Sequence, residues 1–280
     1  MVQWFLYHYG NPVIIALSVI SIVDVIFVGK NKQNLILSFV ATLINITIFA
    51  SRWMLLEFIV ILALCLLFRY HFRIISAIRN NRRIFMFIAA GAILLIFITS
   101  QRKMSSGNST ILENIYYYFW GSIACMGAHI ENVDNYIMYN GHTWGQLYFS
   151  GIMGVCKDIL QPIFHINIRP GIEVLNEVVQ GYVYVSPKIR MNNNVTMITA
   201  FYFDGGGYAI ALFSGMTAWF VARLYNKMNR SGTTNKLAYF IFAYSLLLFG
   251  LIEWMPARAT NIWVFIIIAI IYRIRRIKIK

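Results

Sequence analysis

Long apolar runs alternate with short basic turns along this chain, and the alternation predicts most of its architecture. Apolar stretches cover residues 12–28, 35–50, 53–68, 84–99, 237–252 and 262–272, and one more lies within 194–227. They are continuous, with no polar residue at every second position, so they predict helices and not the strands of a barrel. Most approach the ~20 residues that a helix needs to cross a bilayer. Lipid offers backbone groups no partner, which restricts a crossing segment to a helix or a closed barrel. The expected fold is all-α: a polytopic helical integral membrane protein with about seven transmembrane helices. The first apolar stretch lacks the basic leader of a cleavable signal and is expected to remain as a span.

The charges orient these spans. Lys30 and Lys32, the turn Arg69–Arg83, the group Arg223, Lys227, Arg230 and Lys236, and the run Arg273–Lys280 all fall on one side if the spans alternate strictly. Basic loops stay cytoplasmic. The C-terminus is therefore expected inside and the N-terminus outside. The chain then divides into residues 1–100 (four spans and the basic cytoplasmic turn at 69–83), 101–194 (a large, partly helical extracytoplasmic loop) and 195–280 (three spans and a basic tail). A composition of 59% hydrophobic and 12% charged residues lies outside the soluble range. The net charge of +14 would suggest nucleic acid in a soluble protein. Here its placement reads as topology, and membrane lipids rather than nucleic acid are the expected partner. Cys65, Cys125 and Cys156 show neither metal-ligand spacing nor a disulfide framework.

A loop as long as 101–194 usually has structure or function of its own. It is rich in aromatic residues, among them Tyr116–Trp120, Tyr136, Tyr139, Trp144, Tyr148 and Phe149. Residues 115–128 and 145–164 are each too short or too interrupted to span. They predict short helices lying on, or dipping into, the membrane surface. Aromatic residues at that depth anchor a protein to the interface, and some of them are suited to stack on sugar rings.

Motifs of phosphate loops, zinc proteases, nucleophile elbows and Asp-x-Asp metal sites do not occur in the sequence. Candidate chemistry gathers at the outer ends of the spans. Asp204 lies in an apolar span and is followed by Gly205, Gly206 and Gly207. A carboxylate in such a span costs ~2.5–3.5 kcal/mol on insertion scales, so it is expected to line a polar cavity. The alternative is a capped helix start with a glycine hinge. Arg52 stands between the second and third spans, and Arg102 follows the fourth. Each offers a planar fork of donors that suits pyrophosphate, although snorkelling to headgroups would place them there too. His129, Glu131 and His142 are candidates to take a proton from a hydroxyl. Glu57 is expected to pair with Arg52, and Asp24 to lie at the inner interface.

The order of these features resembles the oligosaccharide repeat-unit polymerases of bacterial surface polysaccharides, the Wzy-type O-antigen and capsule polymerases. The matching pieces are Ser51-Arg52 opening a span, Ser100-Gln101-Arg102 ending one, and the Tyr-rich stretch around Tyr116–Trp120. They continue with Gly141-His142-Thr143-Trp144, Asn194-Val195-Thr196 and Tyr202-Phe203-Asp204-Gly205. Together they cover roughly residues 45–230. The resemblance implies a GT-C-like architecture in the bacterial cytoplasmic membrane. It also implies a metal- and nucleotide-sugar-independent glycosyltransferase without a cofactor, whose substrate is an oligosaccharide linked to undecaprenyl pyrophosphate. A flippase and a chain-length regulator are its implied partners. Arg52 and Arg102, with Arg169 or Arg190 as seconds, would bind the pyrophosphate, and Thr143 and Asn194 would contact substrate. Asp204, Glu131, His129 and His142 are the candidate bases. Only two spans precede Ser51-Arg52 where the family has more, which implies missing N-terminal helices. Rival readings are an O-antigen ligase, a flippase or transporter of lipid-linked oligosaccharides, and a non-enzymatic scaffold.

Overall fold

A computed structural model describes residues 6–49, 53–82, 85–86, 89–91, 93, 111–186, 189–191 and 195–278. Most of these residues are helical, and the exception in regular structure is one two-stranded hairpin. The helices are α1 (Asn11–Val23, flanked by π-turns Leu6–Gly10 and Asp24–Val28), α2 (Lys32–Phe49), α3 (Trp53–Arg69) and α4 (Ile74–Asn80). They continue with α5 (Ile111–Asn140), α6 (Ser150–Phe164), α7 (Gly171–Val179), α8 (Met197–Ser231), α9 (Thr234–Leu248) and α10 (Ala259–Lys278). The hairpin pairs β1 (Val183–Ser186) with β2 (Ile189–Met191), antiparallel.

Among the described residues, four helical stretches are long and apolar enough to cross a membrane: Leu6–Val28, Lys32–Phe49, Met197–Ser231 and Thr234–Leu251. The third expected span is also a helix, α3, of 17 residues. Of the fourth, at 84–99, residues 85–86, 89–91 and 93 are described and are helical, and the others lie outside the described residues. The seventh falls within α10.

The chain divides into two compact units. One comprises Met1–Ile98, Val221–Ser245 and Trp263–Lys280; the other comprises Thr99–Phe220 and Leu246–Ile262. In the first unit, α1 and α2 meet along a polar seam. Ser21 Oγ lies 3.0 Å from Ser38 Oγ, and Asn45 Nδ2 donates to Asn11 Oδ1 at 2.5 Å. In lipid there is no hydrophobic drive between helices, so small and polar side chains supply the adhesion. At one end of α1 the structure buries Asp24, expected at the interface, to 5% exposure. Its Oδ2 accepts from Asn31 Nδ2 at 2.9 Å and from Arg275 Nη1 at 2.8 Å.

The second unit shows two departures from expectation. Residues 115–128 do not form a separate short helix; they belong to the 30-residue α5. Its buried positions, Ser122, Cys125, His129 and Val133, recur every three or four residues straight through the polar Glu131 and Asp134. Those two acids lie on the exposed side, so they decorate the helix without ending it. The hairpin was not expected either. Tyr182 and Tyr184 are 69% and 62% exposed while Val183 and Val185 pack on the core, the two-residue alternation of a strand. The core joins Leu147, Val174, Leu175, Phe201, Phe203, Phe213 and Trp254. At Gly151 and Gly154 the α6 backbone closes on 256–259: a Cβ at Gly151 would meet the Pro256 carbonyl oxygen at 2.1 Å, and one at Gly154 would meet Ala259 Cβ at 2.8 Å.

The Asp24–Arg275 pair yields a stability test. Arg275→Ala takes a charged donor from a buried carboxylate and leaves it Asn31, which costs about 1–3 kcal/mol and lowers the melting temperature in detergent. Adding Asp24→Asn removes the orphaned charge and recovers most of the loss. A double variant no more stable than Arg275→Ala alone contradicts this account.

Candidate functional site

The α8 helix is broken near its start. Gly205 is extended (φ −177°, ψ 34°), and Gly206 adopts φ 62°, ψ −150°, a conformation that essentially only glycine tolerates. A break of this kind strands the carbonyls before it, because their usual i+4 donors have been turned away. The Phe203 and Asp204 carbonyls are such a pair, and the segment 142–148 takes the place of the missing helix. The Thr143 N–H donates to the Phe203 carbonyl at 3.4 Å, and the Trp144 N–H to the Asp204 carbonyl at 2.9 Å.

The Asp204 side chain returns the contact. Its Oδ1 accepts from Thr143 Oγ1 at 2.5 Å and from the Leu147 N–H at 3.0 Å, and its Oδ2 accepts from the Tyr148 N–H at 2.7 Å. These two backbone N–H groups belong to the turn 144–149 that leads into α6, and the carboxylate supplies their acceptors. Asp204 thus ties this turn to the α8 helix. The loop is held from its other sides as well. The Tyr148 ring stacks on Phe213 at 4.3 Å and on Trp254 at 5.3 Å, and Trp254 Nε1 donates to the Tyr148 carbonyl at 3.3 Å. The Ile172 N–H at the start of α7 donates to Ser150 Oγ at 2.9 Å.

This geometry changes the role expected of Asp204. The carboxylate is 1% exposed and receives three hydrogen bonds. It faces backbone rather than an open cavity, so its arrangement is that of a pin and not of a free base. The glycine hinge, the alternative raised from the sequence, is what the backbone adopts.

His142 is the candidate that the pin positions. Its Nδ1 lies 3.3 Å from the Phe203 carbonyl oxygen. A carbonyl only accepts, so Nδ1 carries the hydrogen and, in the neutral ring, Nε2 keeps its lone pair. Nε2 faces Gly206, where a Cβ would stand 3.8 Å away. A half-buried imidazole, oriented through one nitrogen and basic at the other, is the arrangement of a general base.

The other candidates do not join this group. His129 is buried on α5, with Nδ1 3.3 Å from the Asn132 amide nitrogen. Glu131 is exposed; two positions apart on a helix, the two side chains point to different faces. Arg169 is ion-paired with Glu177. The Arg190 backbone pairs with Tyr184 in the hairpin. Arg52, Arg102 and Asn194 lie outside the described residues, so the expected Arg52–Glu57 pair does too; Glu57 is buried on α3. Sequence reasoning counted Tyr148 among the aromatic residues of the loop without giving it a place in the site, and it did not single out Trp254. It also missed the Leu147 and Tyr148 N–H groups, which no residue identity announces.

Comparison with protein-family models gives no match, and neither characterised proteins nor solved structures give one.

Two tests follow from the geometry. Asp204→Asn replaces an acceptor with an NH₂ group that must meet an N–H donor. It costs about 1–3 kcal/mol and speeds amide hydrogen exchange at Leu147 and Tyr148; unchanged exchange there contradicts the pin. Burial holds the His129 imidazole below its usual value near 6.5, with the backbone of Gly181 opposing the shift. The unfolded chain therefore binds this proton more readily than the folded one does. Its contribution to stability is full above pH ~6.5 and declines as the pH falls below that value. His129→Gln flattens this part of the melting profile between pH 7.5 and 5.5, and an identical slope in the variant refutes the assignment.

Proposed function

We propose that the chain polymerises lipid-linked oligosaccharide repeat units into a bacterial surface polysaccharide, O-antigen or capsule. The reaction is glycosyl transfer from undecaprenyl pyrophosphate at the outer face of the cytoplasmic membrane. In this reading the seven spans and the charge pattern hold residues 101–194 outside and the C-terminus inside. One observation carries the reading. The two short motifs that resemble the polymerases, Gly141-His142-Thr143-Trp144 and Tyr202-Phe203-Asp204-Gly205, interlock through the Asp204 carboxylate and leave His142 oriented as a base.

The chemistry follows from that arrangement. The acceptor sugar hydroxyl gives its proton to His142 Nε2 as its oxygen forms the new bond to the anomeric carbon. The bond from that carbon to the pyrophosphate oxygen breaks, and the leaving pyrophosphate keeps the electron pair. The resemblance assigns the developing charge to Arg52 and Arg102, whose guanidinium groups would stabilise it electrostatically. Asp204 and Thr143 act at one remove, by holding the loop that carries the base.

A ligase would use the same chemistry on a different acceptor, and a flippase would use none of it. A strain whose polysaccharide depends on the chain separates the three by the glycan that reaches its surface. His142→Gln and Arg52→Ala are expected to leave single repeat units there without polymer, a rate loss of about 10²–10⁴ for the base. Loss of all surface repeat units points to a flippase. Full-length polymer retained on its lipid carrier points to a ligase. Wild-type chain lengths in His142→Gln remove the histidine from the mechanism.

A further inference from the structure

We propose that Trp144 is a stacking platform for a sugar ring of the acceptor, placed beside the proposed base; this deepens the polymerase reading and rests on it. The indole is 82% exposed and makes an edge contact with His142, with ring centroids 5.8 Å apart. Its backbone is left-handed, with φ 50°, a conformation that glycine, asparagine and aspartate accept far more readily than a bulky residue does. The Trp144 N–H bond to the stranded Asp204 carbonyl, at 2.9 Å, holds that conformation in place. The fold therefore fixes a large apolar ring in solvent at a position where a small polar residue would serve the turn better. Backbone strain of this kind gathers at ligand sites.

The surroundings distinguish a sugar from a lipid chain as the occupant. The indole follows the last turns of α5, which present Glu131, Asn132, Asp134, Asn135 and Asn140 to solvent. Charges and amides in that density face water and not acyl chains. Backbone gaps flank the histidine: Gly206 is close to its ring, and a Cβ at Gly207 would meet nothing within 4 Å. A flat apolar face, a neighbouring base and an open backbone edge suit a pyranose ring. One face of that ring stacks, and its hydroxyl then reaches Nε2.

The test uses the full chain in lipid nanodiscs, applied to an array of bacterial surface oligosaccharides. Wild type, Trp144→Phe and Trp144→Ala are compared, and a parallel set of nanodiscs carries brominated acyl chains. Aromatic contacts of this kind change affinity roughly two- to tenfold. Trp144→Ala is expected to lose glycan binding by that factor, and Trp144→Phe to keep most of it. The proposal is overturned if no array glycan binds the wild type or if Trp144→Ala binds equally well. It is overturned too if brominated lipid quenches the fluorescence that wild type has and Trp144→Phe lacks, because the indole then sits among acyl chains. The polymer-length assay fails or succeeds separately. Glycan binding that depends on Trp144, in a chain whose polymer is indifferent to His142→Gln, keeps the platform and discards the polymerase chemistry.

Discussion

A helix that breaks in an apolar setting must still satisfy its backbone, and this requirement organises the second unit. With Gly205 and Gly206 out of helical geometry, the Phe203 and Asp204 carbonyls lose their partners. An unsatisfied buried carbonyl costs a few kcal/mol, so a break survives only with a substitute donor strand. The segment 142–148 is that substitute. It brings its own unpaired N–H groups, and the Asp204 carboxylate meets two of them. Each side of the contact repairs the other's deficit, so neither the kink nor the loop conformation is stable alone. A full charge at 1% exposure is tolerable for the same reason. Three donors take the place of water around it, and loss of any one leaves an anion under-solvated where rehydration is difficult.

The position of His142 is a consequence of this repair. The Phe203 carbonyl freed by the kink is the group that fixes the imidazole through Nδ1. An intact helix would commit that oxygen to its own ladder, and the ring would have no anchor there. The break thus serves two purposes with one atom: it admits the loop, and it selects the histidine tautomer. Stacking of Tyr148 between Phe213 and Trp254 gives the loop the rigidity that such selection needs.

Much of the fold was legible because its signals are local. Continuous apolar runs and basic turns located helices that the structure has, including α1, α2, α3, α8 and α9. The glycine triplet announced a hinge. What escaped was either non-local or disguised. Val183, Tyr184 and Val185 alternate as a strand should, but four residues are too few to stand out beside so many apolar runs. The short helix expected at 115–128 continues to Asn140, past Glu131 and Asp134, because their spacing sets them on the open face. Asp204 was conspicuous for its cost in an apolar span. The sequence could not say that the cost is met by amide groups some sixty positions earlier, since every residue carries an N–H and only the backbone path reveals which ones are unpaired.

The same reasoning separates the two acidic and basic candidates that looked equivalent in sequence. A base needs a lone pair facing its substrate. Asp204 is buried and accepts from Thr143, Leu147 and Tyr148, whereas His142 is half-buried and engages one ring nitrogen only, Nδ1. Protonation of Asp204 would remove the charge that strengthens those three bonds and so loosen the loop. Proton transfer to His142 Nε2 disturbs nothing, because the Nδ1–H bond to Phe203 persists in the imidazolium and grows stronger with its charge. In the proposed reaction the roles follow from these contacts: the carboxylate stabilises a shape, and the imidazole keeps a lone pair for the transferred proton.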